Sequence, residues 1–140
     1  MAFMEGFPVR VPIQVRFSDL DALGHVNNAA YLSYLELARI AYFQRILPGW
    51  LQGGHFVLAR VEVDYQTPLF LEDRVEVLAR ALKLGRSSFT MEYRVLKNGE
   101  EAARGRTVQV YLEGGRPTPI PEALRRAMEA LEGRALTSSS

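Results

Sequence analysis

Apolar and polar residues alternate along five separate stretches of the chain, and a period of two is the pattern of half-buried β-strands. These stretches are residues 9–17, 57–65, 75–81, 89–95 and 108–112. We expect one apolar face and one polar face on the sheet that they form. Pro12 cannot donate a backbone hydrogen bond, so it indicates that the first strand lies at an edge.

Short polar linkers separate the last three stretches. The first linker, with the sequence GRSS, begins at Gly85, and the second contains Asn98 followed by Gly99. Asn-Gly is a strong signal for a two-residue hairpin turn, because both residues tolerate positive φ. The last three strands are therefore predicted to form an antiparallel meander.

A different pattern fills residues 29–47, where nearly every position is apolar and the segment is followed by Pro48 and Gly49. This pattern predicts a long helix that ends before the proline. Its polar side chains up to position 43 are spaced by three and form one narrow stripe: Ser33, Glu36 and Arg39. We expect most of the remaining circumference to be buried.

An α+β hotdog fold is the economical way to bury such a helix, because a five-stranded antiparallel sheet can curl around one long central helix. A short C-terminal helix, opened by Pro121 and ending near Gly133, is predicted to dock with Leu124, Met128 and Leu131 on one face. Residues 1–134 are assigned to this single domain, and residues 135–140 to a disordered tail.

The composition fits one globular domain, with 140 residues, 48% hydrophobic residues and 24% charged residues. The absence of cysteine excludes a thiol nucleophile, a zinc ribbon and an iron–sulfur cluster. A net charge of +1 with scattered basic residues argues against nucleic-acid binding. No apolar run reaches the roughly 18 residues that span a membrane, and the first residues do not resemble a signal peptide, so we expect a cytoplasmic protein.

Groups that carry chemistry are concentrated in the segment just before the long helix. They are Asp19, Asp21, Gly24, His25, Asn27 and Asn28. One interpretation is a loop with a strong helix cap, in which Asn and Asp accept hydrogen bonds from the first helical amides. The other is an active site, in which those amides hold an oxyanion and a carboxylate acts as base or nucleophile. Composition alone leaves both open.

The string DLDALGHVNNAAY at residues 19–31, followed by ELAR at residues 36–39, closely resembles the signature of the hotdog-fold 4-hydroxybenzoyl-CoA thioesterase family and its acyl-ACP relatives. Further similar segments are VDYQTP at 63–68, DRVEV at 73–77 and GRSSF at 85–89. The resemblance implies an acyl-CoA thioesterase that hydrolyses an aryl- or fatty-acyl-CoA. Coenzyme A is then part of the substrate, and no cofactor is implied.

Carried over position by position, the resemblance implies that Asp21 attacks the thioester carbonyl or activates a water. The backbone amide near Asn28 would polarise that carbonyl, and His25 would act in catalysis or only orient the loop or substrate. We interpret Asp19 as structural and Asn27 as the helix cap.

Substrate contacts are predicted at three places. Tyr31, Tyr34, Leu35 and the second strand would line the acyl pocket. The hairpin residues Arg86, Ser87 and Ser88 would contact the nucleotide or pantetheine of coenzyme A, unless they form only a polar turn, and Arg60 is a weaker candidate. Glu36 and Arg39 either pair with each other or touch the site.

Assembly and alternatives complete the prediction. We expect at least a homodimer, and a homotetramer in its full form, with sheets paired edge to edge and groups from residues 60–65 of a neighbouring chain facing Asp21.

Two histidines thirty residues apart make a poor ligand set, so no metal site is predicted. The alternatives are a non-catalytic acyl-CoA-binding module and a hotdog-fold hydratase or dehydratase.

Overall fold

One antiparallel sheet dominates the computed structural model, which describes residues 6–46 and 55–136. Its strands are β1 (Val9–Ile13), β2 (His55–Tyr65), β3 (Val75–Leu84), β4 (Ser88–Lys97), β5 (Glu100–Glu113) and β6 (Arg116–Pro117). The order is β1-β3-β4-β5-β2, and β6 pairs with β5. The predicted count of five is one short, because Gly114 and Gly115, both at positive φ, turn the chain back to add β6.

Two helices accompany the sheet. Helix α1 spans Ala30–Ile46 and packs against β1 and β3, as expected, while the predicted stop at residues 48–49 lies outside the described residues. Helix α2 spans Glu122–Glu132 and ends at Gly133 in the left-handed conformation, which confirms the predicted stop signal. Neither helix is long and apolar enough to cross a bilayer, within the part of the chain that the structure describes.

The meander of β3, β4 and β5 is confirmed. In β5, however, the valines do not face the helix. Gln109 lies opposite Phe89, and Thr107 lies opposite Met91. Directly opposed residues share a face, so both polar side chains point to the same side as the buried Phe89 and Met91. The apolar stretch 108–112 therefore has its valines and Leu112 on the outer face.

A bulge interrupts the alternation of β2. The pairing with β5 shifts between Leu58 and Arg60, so Leu58 faces the helix side before the bulge, whereas Val61 and Tyr65 face it afterwards. One extra residue in a strand reverses the parity of everything beyond it. The continuous alternation predicted over residues 57–65 is therefore wrong, and Arg60 lies on the outer face.

The first strand is shorter than predicted. It stops at Ile13, and Phe17 is 80% exposed at the start of a single 3-10 turn over Phe17–Asp19. The amide of Asp19 donates to the Arg16 carbonyl at 2.9 Å, and the Arg16 amide donates back to the Asp19 carboxylate at 3.0 Å. This reciprocal pair turns the chain out of the sheet.

Two expectations about burial are wrong for the single chain. On α1, Leu32, Leu37 and Ile40 are between 43% and 50% exposed, so the helix is not covered around most of its girth. Residues 137–140 of the predicted tail lie outside the described residues, but Leu136 is buried and its carbonyl accepts a hydrogen bond from the Leu84 amide at 2.8 Å. Burial of an apolar side chain beside α2 is lower in free energy than its exposure to water.

Candidate active site

The loop between β1 and α1 is held against the chain that follows β2. The Val26 amide donates to the Leu69 carbonyl at 2.8 Å, and the Asn27 amide donates to the Asp19 carbonyl at 2.8 Å. The His25 ring packs edge-on against Phe70, with centroids 5.0 Å apart. A loop fixed at so many points presents its functional groups in one geometry.

Asp19 is the structural carboxylate of the motif, as predicted. It is buried, and its oxygens accept hydrogen bonds from the Arg16 amide, the Arg16 guanidinium and the Tyr34 hydroxyl, the last at 2.7 Å. Burial alone would raise the pKa of Asp19, but these hydrogen bonds lower it below its usual value. Tyr34 was expected to line the acyl pocket, but its hydroxyl donates to Asp19 instead.

Asp21 has the opposite environment. Its Oδ1 accepts hydrogen bonds from the amides of Leu23 at 2.9 Å and His25 at 3.1 Å, which fix the orientation of the carboxyl group. Its Oδ2 takes no hydrogen bond from any described residue, and the residue is exposed. One oxygen therefore positions the group and the other is free to react.

The first turn of α1 carries two unused backbone donors. Asn27 is the cap, as predicted, because its side-chain oxygen accepts from the Ala30 amide at 3.0 Å. The amides of Asn28 and Ala29 form no hydrogen bond with any described group. They lie at the positive end of the helix dipole, where an anionic oxygen is stabilised.

A cavity of about 250 Å³ joins these groups. It is lined by Asp21, His25, Val26, Asn28, Tyr31, Tyr65, Gln66, Thr67 and Pro68. Of the residues predicted for the site, this cavity brings together Asp21, His25, Asn28 and Tyr31. The free carboxylate and the free helix terminus therefore face one shared space.

Two tyrosines form one wall of the cavity. The rings of Tyr31 and Tyr65 meet edge to face with centroids 4.8 Å apart. Burial, with the nearby Tyr65, raises the pKa of Tyr31 to about 12, so its phenol stays protonated at neutral pH. The Tyr65 hydroxyl donates to the Asn28 carbonyl at 3.0 Å, which ties the β2 end to the helix start.

Within the single chain, Tyr65 lines the same cavity as Asp21, and the expectation that residues 60–65 of a neighbouring chain face Asp21 stays a prediction. The chain segment 65–68 follows β2 directly and reaches the loop before α1. The VDYQTP segment is the signal that could have identified this wall, since a polar strand end followed by proline marks a turn.

The remaining predicted contacts lie elsewhere in the chain. Arg86, Ser87 and Ser88 form the hairpin at the other end of β3, about 30 Å along the strands from the cavity. There the Arg125 guanidinium donates to the Arg86 carbonyl at 2.8 Å, and the Tyr111 amide donates to the Ser87 carbonyl at 2.7 Å. Arg60 faces outward and pairs with Glu62 at 3.4 Å. A single chain does not bring these residues to Asp21.

Comparison with known proteins identifies the chemistry. The family described as the Thioesterase-like superfamily matches residues 15–128. This chain belongs to the thioesterase-like superfamily. Its antiparallel sheet and long helix are the hotdog fold of that group, and its activity is hydrolysis of CoA thioesters.

Three relatives illustrate the similarity. A thioesterase from Thermus thermophilus, solved with coenzyme A and zinc, is 65% identical with a TM-score of 0.90, covering 95% of this chain and 100% of that one. A 1,4-dihydroxy-2-naphthoyl-CoA hydrolase of Synechococcus elongatus is 34% identical, covering 79% of this thioesterase and 88% of the relative. The long-chain acyl-CoA thioesterase FadM of Escherichia coli is 30% identical, over 57% and 63%.

Metal ligands do not cluster around the cavity. Within residues 6–46 and 55–136, no three His, Asp or Glu side chains converge closely enough to hold a metal ion.

Proposed function

We propose that the cavity beside α1 is the thioester hydrolysis site, with Asp21 as its catalytic carboxylate. The observation that carries the proposal is that one cavity is lined by Asp21, which has an oxygen free of hydrogen bonds, and by Asn28, whose backbone amide is unused. Thioester hydrolysis needs this pair of functions, an oxygen base or nucleophile and a site for the developing oxyanion.

In this mechanism, the substrate carbonyl oxygen accepts hydrogen bonds from the amides of Asn28 and Ala29. As a nucleophile, Asp21 adds to the carbonyl carbon, the C–S bond breaks, and water hydrolyses the resulting anhydride. As a base, Asp21 takes a proton from water while the oxygen adds and the same C–S bond breaks. Either route yields a free acid and the coenzyme A thiol. The carboxylate is available in both because no described group competes for Oδ2.

The other cavity residues position these groups. Tyr65 holds the peptide between Asn28 and Ala29 through the Asn28 carbonyl, so it orients one of the oxyanion donors. His25 orients the loop through the hydrogen bonds that its backbone forms with Asp21. Tyr31 contributes an apolar ring for the acyl group beside the thioester.

Tyr65→Phe tests this positioning role. Loss of the hydroxyl leaves the Asn28 carbonyl with only the 3.3 Å hydrogen bond from the Tyr31 amide, so we expect kcat to fall about tenfold while KM changes less than twofold. Tyr111→Phe is the matched control, because its hydroxyl donates to Glu113 far from the cavity. Equal kcat values in the wild type and Tyr65→Phe would remove Tyr65 from the mechanism.

The substrate class follows from the relatives and the lining. Relatives are named for a dihydroxynaphthoyl-CoA and for long-chain acyl-CoA, and one was solved with coenzyme A. We propose coenzyme A as the carrier, an aryl or fatty acyl group beside Tyr31, and a cytoplasmic location where such thioesters are used. The Arg86 hairpin reaches the nucleotide only from a neighbouring chain.

A thiol-release assay tests the function. The purified protein, dialysed against EDTA, is mixed with benzoyl-, decanoyl- and palmitoyl-CoA, and free thiol is followed by a chromogenic disulfide. We expect multiple turnovers with at least one substrate and no dependence on added zinc, since the proposed reaction needs no resident metal or cofactor. Tight binding without thiol release would instead support the non-catalytic acyl-CoA-binding module.

Assembly is also part of the proposal. Edge strand β2 has Leu58, Val61 and Tyr65 between 37% and 48% exposed. An uncovered apolar edge strand is rarely left open in a stable protein. We propose that two copies pair along β2 into a homodimer, and that two dimers form a homotetramer.

A charge placed on this edge tests the assembly. Val61→Lys brings two like charges together across the proposed two-fold axis, so we expect light scattering to give the monomer mass. Gln14→Lys, an exposed position away from β2, should leave the mass of the assembly unchanged. A monomeric wild type would contradict the proposed dimer.

A further inference from the structure

The chain that lines the cavity after β2 goes on to support the loop before α1. The Leu69 carbonyl accepts a hydrogen bond from the Val26 amide at 2.8 Å, and Phe70 forms an isolated β-bridge with His25. We call this supporting segment, residues 68–70, the platform. Because the backbones of the platform and the loop are joined in this way, a shift of one displaces the other.

The platform is connected to the reactive carboxylate through His25. The His25 amide donates to Asp21 Oδ1 at 3.1 Å, and the His25 carbonyl accepts from the Asp21 amide at 2.7 Å. On its other side, the His25 ring packs edge-on against Phe70, with centroids 5.0 Å apart. The orientation of the Asp21 carboxyl group therefore depends on Phe70, which does not itself line the cavity.

One ammonium group holds the platform from outside the cavity. Lys97, the last residue of β4, donates from Nζ to the Pro68 carbonyl at 3.0 Å, and the same Nζ lies 4.9 Å from the centroid of the Phe70 ring. Its third contact is an ion pair at 3.6 Å with Asp73, whose Oδ2 also accepts a hydrogen bond from the Phe70 amide at 2.8 Å. A carbonyl, a ring face and a carboxylate therefore surround an ammonium that has three N–H groups.

The surroundings of Lys97 differ from those of an ordinary surface ion pair. The side chain of Lys97 is 26% exposed and that of Asp73 only 9%. A single ion pair at a protein surface contributes little to stability, and holding a lysine stem in one conformation costs entropy. Three contacts that converge on one ammonium are better explained by a need to fix the platform in place.

We propose that Lys97 is a positioning residue for thioester hydrolysis, an inference that rests on the proposed thioesterase function. Lys97 holds the platform, the platform holds His25, and His25 holds the carboxyl group of Asp21. Lys97 does not line the cavity, so it acts on the reaction only through these neighbours. Removal of its ammonium should therefore slow the chemical step and leave substrate binding nearly unchanged.

Lys97→Met tests the proposal, because it keeps an unbranched apolar stem and removes the ammonium. With benzoyl- and decanoyl-CoA we expect kcat to fall about tenfold, while KM changes by less than about twofold. Lys97→Arg, which restores a positive charge and N–H donors, should keep kcat within about threefold of the wild type. Lys83→Met is the matched control, because this exposed lysine lies opposite Thr90 near the other end of β4, and its loss should change neither constant.

A double-mutant cycle shows whether Lys97 acts through Asp21. In the Asp21→Asn background the carboxylate is already lost, so adding Lys97→Met should lower the residual kcat by less than about twofold. Single-turnover experiments with excess enzyme measure this slow hydrolysis. An equal fall of kcat in both backgrounds would show that Lys97 acts independently of Asp21, which would overturn the proposal.

The outcomes separate this proposal from the general function. No thiol release by the wild type from any tested acyl-CoA would overturn the thioesterase function itself. Hydrolysis by Lys97→Met with the kcat of the wild type would overturn only the role of Lys97. A lower melting temperature or a higher KM without a lower kcat would do the same.

If Lys97→Met does not fold, Phe70→Leu provides the test. This variant removes the ring that contacts both the Lys97 ammonium and the His25 ring, and it keeps an apolar side chain in its place. We expect kcat to fall about fivefold while KM stays within about twofold of the wild type. A kcat equal to that of the wild type would overturn the proposed connection from Lys97 to Asp21.

Discussion

We expect Asp21→Asn to lower kcat for acyl-CoA hydrolysis about a thousandfold, because an amide can neither attack the carbonyl nor take a proton from water. The asparagine oxygen can still accept the hydrogen bonds that Asp21 receives from Leu23 and His25, so the loop should keep its shape. KM and the melting temperature should stay close to those of the wild type. Thiol release and thermal unfolding measure these quantities.

The matched control for this variant is Asp64→Asn, which removes an exposed carboxylate from the outer side of β2. Its kcat should stay within twofold of the wild type. If Asp21→Asn hydrolysed acyl-CoA as fast as Asp64→Asn, the catalytic carboxylate would have to be sought elsewhere. A variant that retained kcat but bound substrate poorly would place Asp21 in recognition only.

Asp19→Asn should have the largest effect on stability. The substitution weakens the hydrogen bonds from Arg16 and Tyr34 at a buried position, and bonds to a charged group contribute more than neutral ones. We expect the free energy of unfolding to fall by about 3 kcal/mol, measured by urea denaturation at neutral pH.

The difference in the free energy of unfolding between the wild type and Asp19→Asn should depend on pH. The pKa of Asp19 is lower in the folded protein than in the unfolded chain, so its stabilisation is complete above the unfolded value of about 4. It is lost as the pH falls through the lower pKa of the folded state. The free energies of unfolding of the wild type and Asp19→Asn should therefore converge as the pH is lowered. A difference between them that stayed constant down to about pH 2 would show that Asp19 does not act through its charge.

Elements with a regular period were predictable from the sequence. The meander follows from alternation and from Asn98-Gly99, whose positive φ angles are observed. The cap at Asn27 and the bend at Gly24 were predictable from their residue types, whereas the role expected for Asp21 came from the resemblance to a thioesterase family. In the structure, Asp21 and Asn28 line one cavity.

Features that depend on register could not be predicted. The bulge at Ala59 changes the face of every later residue of β2, although nothing in the local alternation marks it. The inward position of Gln109 is likewise set by pairing with β4 and not by its own neighbours in the chain. The contact of Arg39 with Tyr93 could not be predicted either, because it joins residues 54 positions apart.

The two unused donors at the start of α1 belong to the peptide backbone, which has an evolutionary consequence. No side-chain substitution at Asn28 or Ala29 deletes an amide, except to proline, so this element of the site tolerates mutation at its own positions. In the proposed mechanism, residues around the cavity can therefore diversify and change the preferred acyl group while these backbone donors are retained. New specificities should be reachable in single steps without an inactive intermediate.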